Sequence, residues 1–334
     1  RIPTYYDFEN YDTLDIKKIF EVAGSYYAFL SKKDRDYSYN GKISKTAENM
    51  LNFVSTNLIL SKKIEELILL RLILKKSQNL EEDFRGVMLT DYTKLIADYE
   101  LEVSRKILTN NFVTSSVTKK KFNDCIFLDE YNKVVKPSKE LEKELQSDIF
   151  RTLLTELVEY GIYRYNKYYK HNLYRDTNFV LYEKYSFEDI CKLFSWSINY
   201  VPLAIGGYKY DEQTKTLPVF INYDIDENSF NHDYVHGFLP GNGFTSMSKP
   251  RRNLESRECE YFYKDETKIY LFMRKNKDDK DGARIFYFLG EMKTVGQPEL
   301  VHREKSGDTV IQFFYKIQTP LREDMYEYFT REKI

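Results

Sequence analysis

The hydrophobic pattern of the chain changes character once, near residue 180, and that change restricts it to an α+β architecture. Before the change, segments 15–31, 45–60, 62–75, 91–108 and 138–168 carry apolar residues at helical spacing. The run Ile64–Leu74 is apolar nearly all round, which predicts a buried central helix. Pro137-Ser138 ahead of a Glu/Leu-rich run marks a helix start with Ser138 as N-cap. Residues 109–136 break the pattern and predict a loop with a short strand around Cys125–Leu128. Ser186-Phe-Glu-Asp189 is a capping box that opens a short helix to about Trp196. Beyond it, runs at 203–210, 217–224, 268–274, 284–292 and 308–317 are rich in β-branched and aromatic residues and are separated by polar or glycine-containing turns. Leu321 to Phe329 reads as a closing helix. The expectation is an all-helical domain over residues 1–180, then a β-barrel-like or strongly curved sheet domain with flanking helices over 181–334.

Composition narrows the function classes. Neutral overall at −1, the chain carries about −3 over residues 186–334, which leaves about +2 for residues 1–185. Neither half is basic enough for a purely electrostatic nucleic-acid binder, so any such affinity must come from local patches. Cys125, Cys191 and Cys259 are widely spaced with no Cys-x-x-Cys pair, which argues against a disulfide framework or a zinc site and for a reducing cytoplasm. No apolar run approaches the roughly 20 residues of a membrane span, and no signal peptide is present. The opening Arg1-Ile-Pro lacks a methionine, so a piece of a longer protein is expected.

The segment Val201–Asp224 holds the most chemistry. It puts Gly206 and Gly207, four rings (Tyr208, Tyr210, Phe220, Tyr223) and two carboxylates (Asp211, Asp224) on a predicted β-hairpin. Flat rings with a carboxylate are what a flat ligand with a hydrogen-bonding edge requires, and an unstacked nucleobase is one such ligand. The plain alternative is a glycine bulge with rings that pack the core. A second stretch, Ser246 to Ser256, offers Lys249, Arg251 and Arg252 with Ser246, Ser248, Asn253 and Ser256, a set suited to gripping phosphates. Its alternative is a solvated helix start, since Glu255, Glu258 and Glu260 follow at once. The loop Gly237–Gly243 before it is long enough to reach a groove. Tyr160–Tyr174 is dense in Tyr, Lys and Arg and reads either as a backbone contact or as a solvated face. His232-x-x-x-His236 lacks the glutamate of a zincin, and no Walker A loop or nucleophile elbow is present. Catalytic residues, metal and cofactor are therefore not expected in this chain, although Glu291 and Asp308 could join a nuclease carboxylate cluster.

Ile-Gly-Gly-Tyr-Lys-Tyr-Asp, Val-Phe-Ile-Asn-Tyr, Ser-Lys-Pro-Arg-Arg-Asn-Leu-Glu-Ser and Phe-Tyr-Phe-Leu-Gly-Glu291 resemble the C-terminal domain of SauUSI-like ATP-dependent type IV restriction endonucleases. In that family the domain follows a phospholipase-D-type nuclease and a superfamily 2 helicase, and Ile2-Pro-Thr-Tyr-Tyr-Asp-Phe8 resembles its linker region. The resemblance implies a helical coupler followed by a methylated-base reader of the SRA (SET- and RING-associated, PUA-like) type. It implies double-stranded DNA with 5-methylcytosine, or 5-hydroxymethylcytosine, as partner, and upstream helicase and nuclease domains in the same chain that use ATP and Mg. The SRA motif carries over its two glycines to Gly206 and Gly207, a stacking ring to Tyr208 and a base-reading carboxylate to Asp211. The second ring falls on Phe220 or Tyr223, and Lys209 and Tyr210 depart from an acidic motif. Base binding is thus assigned to Gly207, Tyr208, Tyr210, Asp211, Phe220 and Tyr223, and the DNA backbone to Ser246, Ser248, Lys249, Arg251, Arg252 and Ser256.

The energies are compatible. Flipping costs a few kcal/mol, and base–aromatic stacking returns roughly 1–3 kcal/mol per ring. The competing reading is a docking module between helicase and nuclease, which hides Tyr208 in the core and presents a flat apolar patch.

Overall fold

The computed structural model describes residues 3–10, 15–34, 36–112, 116–129, 134–197, 207–223, 237–275, 285–303 and 307–331. The chain is α+β and divides into two compact units, Arg1–Asn172 with Ser197–Asn199, and Leu173–Trp196 with Tyr200–Ile334.

The first unit is helical, with helices at Tyr5–Phe8, Ile16–Ala23, Tyr26–Lys33, Lys45–Phe53, Glu65–Leu74, Leu80–Tyr92, Asp98–Leu108, Ser116–Lys121, Lys139–Glu144 and Asp148–Tyr168. Gly24, at φ +89°, ends the second of these, so the periodic segment 15–31 is two helices rather than one. Ser138 caps its helix as expected, accepting from Leu141 N at 3.0 Å. A second cap at Ser147 restarts the chain as the 21-residue helix Asp148–Tyr168. Residues 45–59 begin as α-helix and continue as a π-helix at Val54–Ile59. The long helix passes this segment closely at Gly161, where a Cβ would stand 2.9 Å from Ile59 Cγ1. Glu65–Leu74 is the buried helix the sequence predicts, and it buries two carboxylates with it. Lys63 pairs with Glu66 and lies 3.5 Å from Glu65, and Lys94 bridges Glu65 and Glu100, so each buried charge meets an opposite one. The expected strand near Cys125–Leu128 is only a single bridge between Leu128 and Pro137.

The second unit is a sheet of eight strands: β1 (Lys184–Ser186), β2 (Thr216–Asn222), β3 (Gly237–Leu239), β4 (Gly243–Met247), β5 (Lys268–Arg274), β6 (Ile285–Thr294), β7 (Glu299–His302) and β8 (Thr309–Ile317). The order is β2-β5-β6-β8-β4-β3, with β1 on β6 and β7 on β8. β2 and β5 run parallel, and the other pairs are antiparallel. A register shift opposite Leu271/Phe272 is taken up at Leu289-Gly290, where Gly290 has φ +97°. Such a bulge bends and twists the sheet. The two ends of the strand order come together, because the ring of Tyr223 after β2 packs at a tilt on Phe238 of β3, 5.4 Å between centroids. The result is a curled sheet whose edges meet through side chains.

The curled sheet has a core on each face. On one, Leu217, Val219 and Ile221 join Leu271, Phe244, Phe313, Tyr315 and the helices Arg257–Tyr263 and Glu323–Thr330. On the other, Phe220, Phe272, Phe286 and Phe288 meet Phe179, Phe187 and Phe194. The capping box at Ser186–Asp189 forms as expected. The predicted loop Gly237–Gly243 is instead the hairpin β3–β4, since Phe238 and Phe244 pair across it.

Candidate nucleic-acid interface

The hairpin of residues 207–222 forms, held by antiparallel bridges Tyr208↔Val219 and Asp211↔Thr216. Gly207 opens it at φ +92°, a conformation that costs glycine least. Among the described residues no atom lies within 4 Å of where its Cβ would be, so there the glycine serves the bend. Gly206, Asp224, His232 and His236 lie outside the described residues.

The assigned base pocket is not assembled. Tyr208 faces the same side of the sheet as its bridge partner Val219, and Phe220, one residue further, faces the other side. Two rings on opposite faces cannot sandwich one base. Phe220 is 7% exposed and stacks on Phe272 at 5.4 Å. Tyr208 is 5% exposed and packs edge-on against Phe262 at 5.1 Å. Its hydroxyl donates to Glu258 Oε2 at 2.8 Å. Burial first, and then the Glu258 charge, push that hydroxyl's pKa well up, so it stays protonated and donating.

Asp211 is spent on its own turn. Its Oδ2 accepts from Thr214 N at 2.9 Å and from Thr214 Oγ1 at 2.8 Å. Thr214 Oγ1 is 2.7 Å from Thr216 Oγ1, which in turn accepts from Trp196 Nε1 at 2.8 Å. An aspartate that closes a tight turn in this way is a recurrent local device. Tyr210 lies flat on Tyr261 at 4.3 Å, with Lys264 Nζ 5.7 Å from its ring centre. Tyr223 packs between Phe238 and Phe329.

The backbone-contact set divides in two. Ser246 and Ser248 are buried at the end of β4: Ser246 Oγ meets Tyr315 Oη at 3.0 Å, and Ser248 Oγ accepts from Ile311 N at 2.8 Å. Neither reaches solvent, because alternation along β4 and the turn after it point them inward, and both are withdrawn as phosphate donors. Ser256 bonds Asn253 and precedes the helix Arg257–Tyr263. Lys249, Arg251 and Arg252 do lie at the surface. Arg251 is held at φ +61° with its side chain 83% exposed and its Nε 3.2 Å from Asp308.

The residue that organises this surface is Glu258. Its carboxylate takes the Tyr208 hydroxyl and Arg252 Nε at 2.7 Å, and Lys249 Nζ stands 3.9 Å away. Burial alone would raise its pKa, but hydrogen bonds from Arg252 and Tyr208 and the Lys249 charge outweigh that and hold it below the usual carboxylate range. Lys249 is lowered by burial, partly restored by Glu258, and lowered again by the charges of Lys209 and Arg252. Its ammonium also sits 4.6 Å from the Tyr208 ring centre. Two cations from the segment after β4, Lys249 and Arg252, thus converge on one carboxylate beside Tyr208, with the Lys209 charge felt at Lys249. The sequence counts Glu258 only against a basic patch and Lys209 only as a departure from an acidic motif. The Arg252–Glu258 pair spans a loop, so no helical i,i+4 spacing signals it.

Glu291 and Asp308 do not form one site. Glu291 pairs with Arg175, and its carbonyl receives Gln318 N at the far end of β8 from Asp308. Ten residues of strand put the two roughly 30 Å apart. Among the described residues no group of three His, Cys, Asp or Glu side chains is placed to hold a metal ion. No helix among them is long and apolar enough to cross a membrane.

Residues 1–170, just over half of the chain, match the family described as Domain of unknown function (DUF8090), and the chain belongs to that family. Residues 179–329 match a second family, Domain of unknown function (DUF3427). No curated protein matches the chain. Among solved structures, the crystal structure of KRYPTONITE in complex with mCHG DNA and SAH aligns at 10% identity and a TM-score of 0.31, over 84% of this chain and 46% of that one. The chain therefore spans less than half the length of that protein, and a score this low establishes no equivalence of fold.

Proposed function

We propose that the chain is the target-recognition portion of a modification-dependent (type IV) restriction enzyme, itself without catalytic activity. In this reading the sheet unit binds double-stranded DNA that carries 5-methylcytosine. The helical unit couples it to helicase and nuclease domains that use ATP and Mg elsewhere in the same protein. The observation that carries the DNA-binding part is the convergence of Lys249 and Arg252 on one carboxylate, with Arg251 exposed on the same segment. Lys249, Arg251 and Arg252 lie within four residues of one another at the surface, which suits a phosphate backbone. The modified base is assigned to the Tyr208 end of this face, with Phe220 removed from the pocket.

The docking reading keeps one specific observation in its favour, the 5% exposure of Tyr208. The two separate by competition binding. A labelled duplex with one 5-methylcytosine is challenged with unlabelled methylated and unmethylated copies. The proposal expects the methylated copy to compete better. Equal competition reduces the face to a backbone contact, and absence of binding leaves the docking module.

A further inference from the structure

The cations assigned to the DNA backbone already hold an anion. Glu258 satisfies Arg252 at 2.7 Å, faces Lys249 at 3.9 Å and ties down the Tyr208 hydroxyl at 2.8 Å. We propose that Glu258 is an internal competitor: its carboxylate occupies at rest the place that a DNA phosphodiester oxygen takes in the complex. The same carboxylate holds Tyr208 in the core, so that phosphate arrival and release of the tyrosine are coupled. This rests on the reading that this face binds DNA.

Three features support it. The carboxylate faces two cations at once, Arg252 Nε at 2.7 Å and Lys249 Nζ at 3.9 Å. A phosphodiester oxygen that took its place would meet both. The side chains concerned are 25–34% exposed for Lys249, Glu258 and Arg252, so water and a ligand reach them without unfolding. Finally, Glu258 sits in the first turn of its helix, away from the end that Phe262 anchors on Phe313 at 4.1 Å. The helix Arg257–Tyr263 has seven residues and buries only Cys259 and Phe262. Its N-cap Ser256 makes no side-chain cap bond to it and binds Asn253 instead. An uncapped first turn lets the Glu258 side chain turn while the rest of the helix stays packed in the core.

The coupling follows from connectivity. When Glu258 turns away, the Tyr208 hydroxyl loses the acceptor for its proton and keeps only the Lys249 backbone N–H, which donates to it at 3.4 Å. A buried hydroxyl whose proton has no acceptor is destabilised where it stands. Phosphate binding thus loosens the ring that the proposed base reading needs.

The test measures anisotropy of a labelled methylated duplex across a salt series with the 334-residue chain, as wild type, Glu258→Gln and Tyr208→Phe. Glu258→Gln should bind about fivefold tighter at low salt, the effect of one unit charge about 4 Å away through water. Its plot of log K against log salt should steepen by about 0.9, the increment for one more phosphate contact. Tyr208→Phe keeps the ring and every charge but removes one of the bonds that hold Glu258 in place, and should shift affinity the same way by less. Equal or weaker binding by Glu258→Gln at the wild-type slope overturns the competitor role and leaves the DNA grip intact. If Glu258→Gln fails to fold by circular dichroism, Tyr208→Phe decides alone, and unchanged affinity there overturns the proposal. Absence of wild-type binding removes the grip and the competitor together.

Discussion

Tyr208 is where sequence and structure pull furthest apart, and its substitution separates them. A ring waiting in an open pocket for a base contributes little to stability, whereas the structure buries this one to 5% against Phe262 and within the core of Leu217, Val219 and Phe313. Truncating a fully buried aromatic costs about 3–5 kcal/mol. The area route agrees, since a tyrosine buries about 150–250 Å² and apolar burial returns about 25 cal/mol per Å². Tyr208→Ala should therefore destabilise the sheet unit by about 3–5 kcal/mol. Tyr208→Phe keeps the ring and loses one hydrogen bond to a carboxylate that is 29% exposed and can take water instead, so about 1 kcal/mol is expected. The assay is urea unfolding followed by Trp196, the single tryptophan, which lies in the sheet unit. A midpoint for Tyr208→Ala within error of wild type would refute the core placement and restore an open stacking ring.

Three further predictions test other parts of the account. Glu9 accepts from Tyr160, Tyr168, Lys167 and Arg164; burial alone would raise its pKa, but these partners outweigh it and hold it at about 2. A lowered carboxylate stabilises above its unfolded pKa and ceases to as pH falls, so Glu9→Gln should cost about 1–2 kcal/mol at neutral pH after discounting for solvent screening, and the gap should close between about pH 5 and pH 2 in helix unfolding followed by circular dichroism. Gly161→Ala puts a methyl 2.9 Å from Ile59 and 3.0 Å from Leu67 and should destabilise the helical unit by about 1–3 kcal/mol in the same assay. Asp211→Ala removes both bonds to Thr214 and should loosen the hairpin by about 1–2 kcal/mol while changing Trp196 emission through Thr216; unchanged emission and midpoint would place Asp211 outside the turn.

The architecture was readable because it depends on local period. Helical spacing before residue 180 and β-branched runs after it mark Glu65–Leu74, β2, β5, β6 and β8 closely, and the caps at Ser138 and Ser186 fall where side-chain chemistry requires them. What failed depended on pairing between distant segments. The facing of Tyr208 and Phe220 follows from one bridge, Tyr208↔Val219, which fixes a parity that neither residue signals alone. The short strands β1, β3 and β7 are defined by their neighbours rather than by composition. Ser246 and Ser248 looked like phosphate donors because hydroxyls serve equally well inside, where they meet Tyr315 and the Ile311 amide. Glu258 was read as a charge opposed to the patch, yet its position at the meeting of two loops makes it the patch's centre.

The salt dependence of duplex binding tests the central claim, that Lys249, Arg251 and Arg252 form a phosphate grip, most directly. Log affinity is measured against log salt for wild type and for Lys249→Ala/Arg251→Ala. Each lost phosphate contact lowers the slope by about 0.9, so the double variant should be shallower by about 1.8 with its fold intact. A wild-type slope in the double variant would contradict the account, because the DNA would then be held by some other surface.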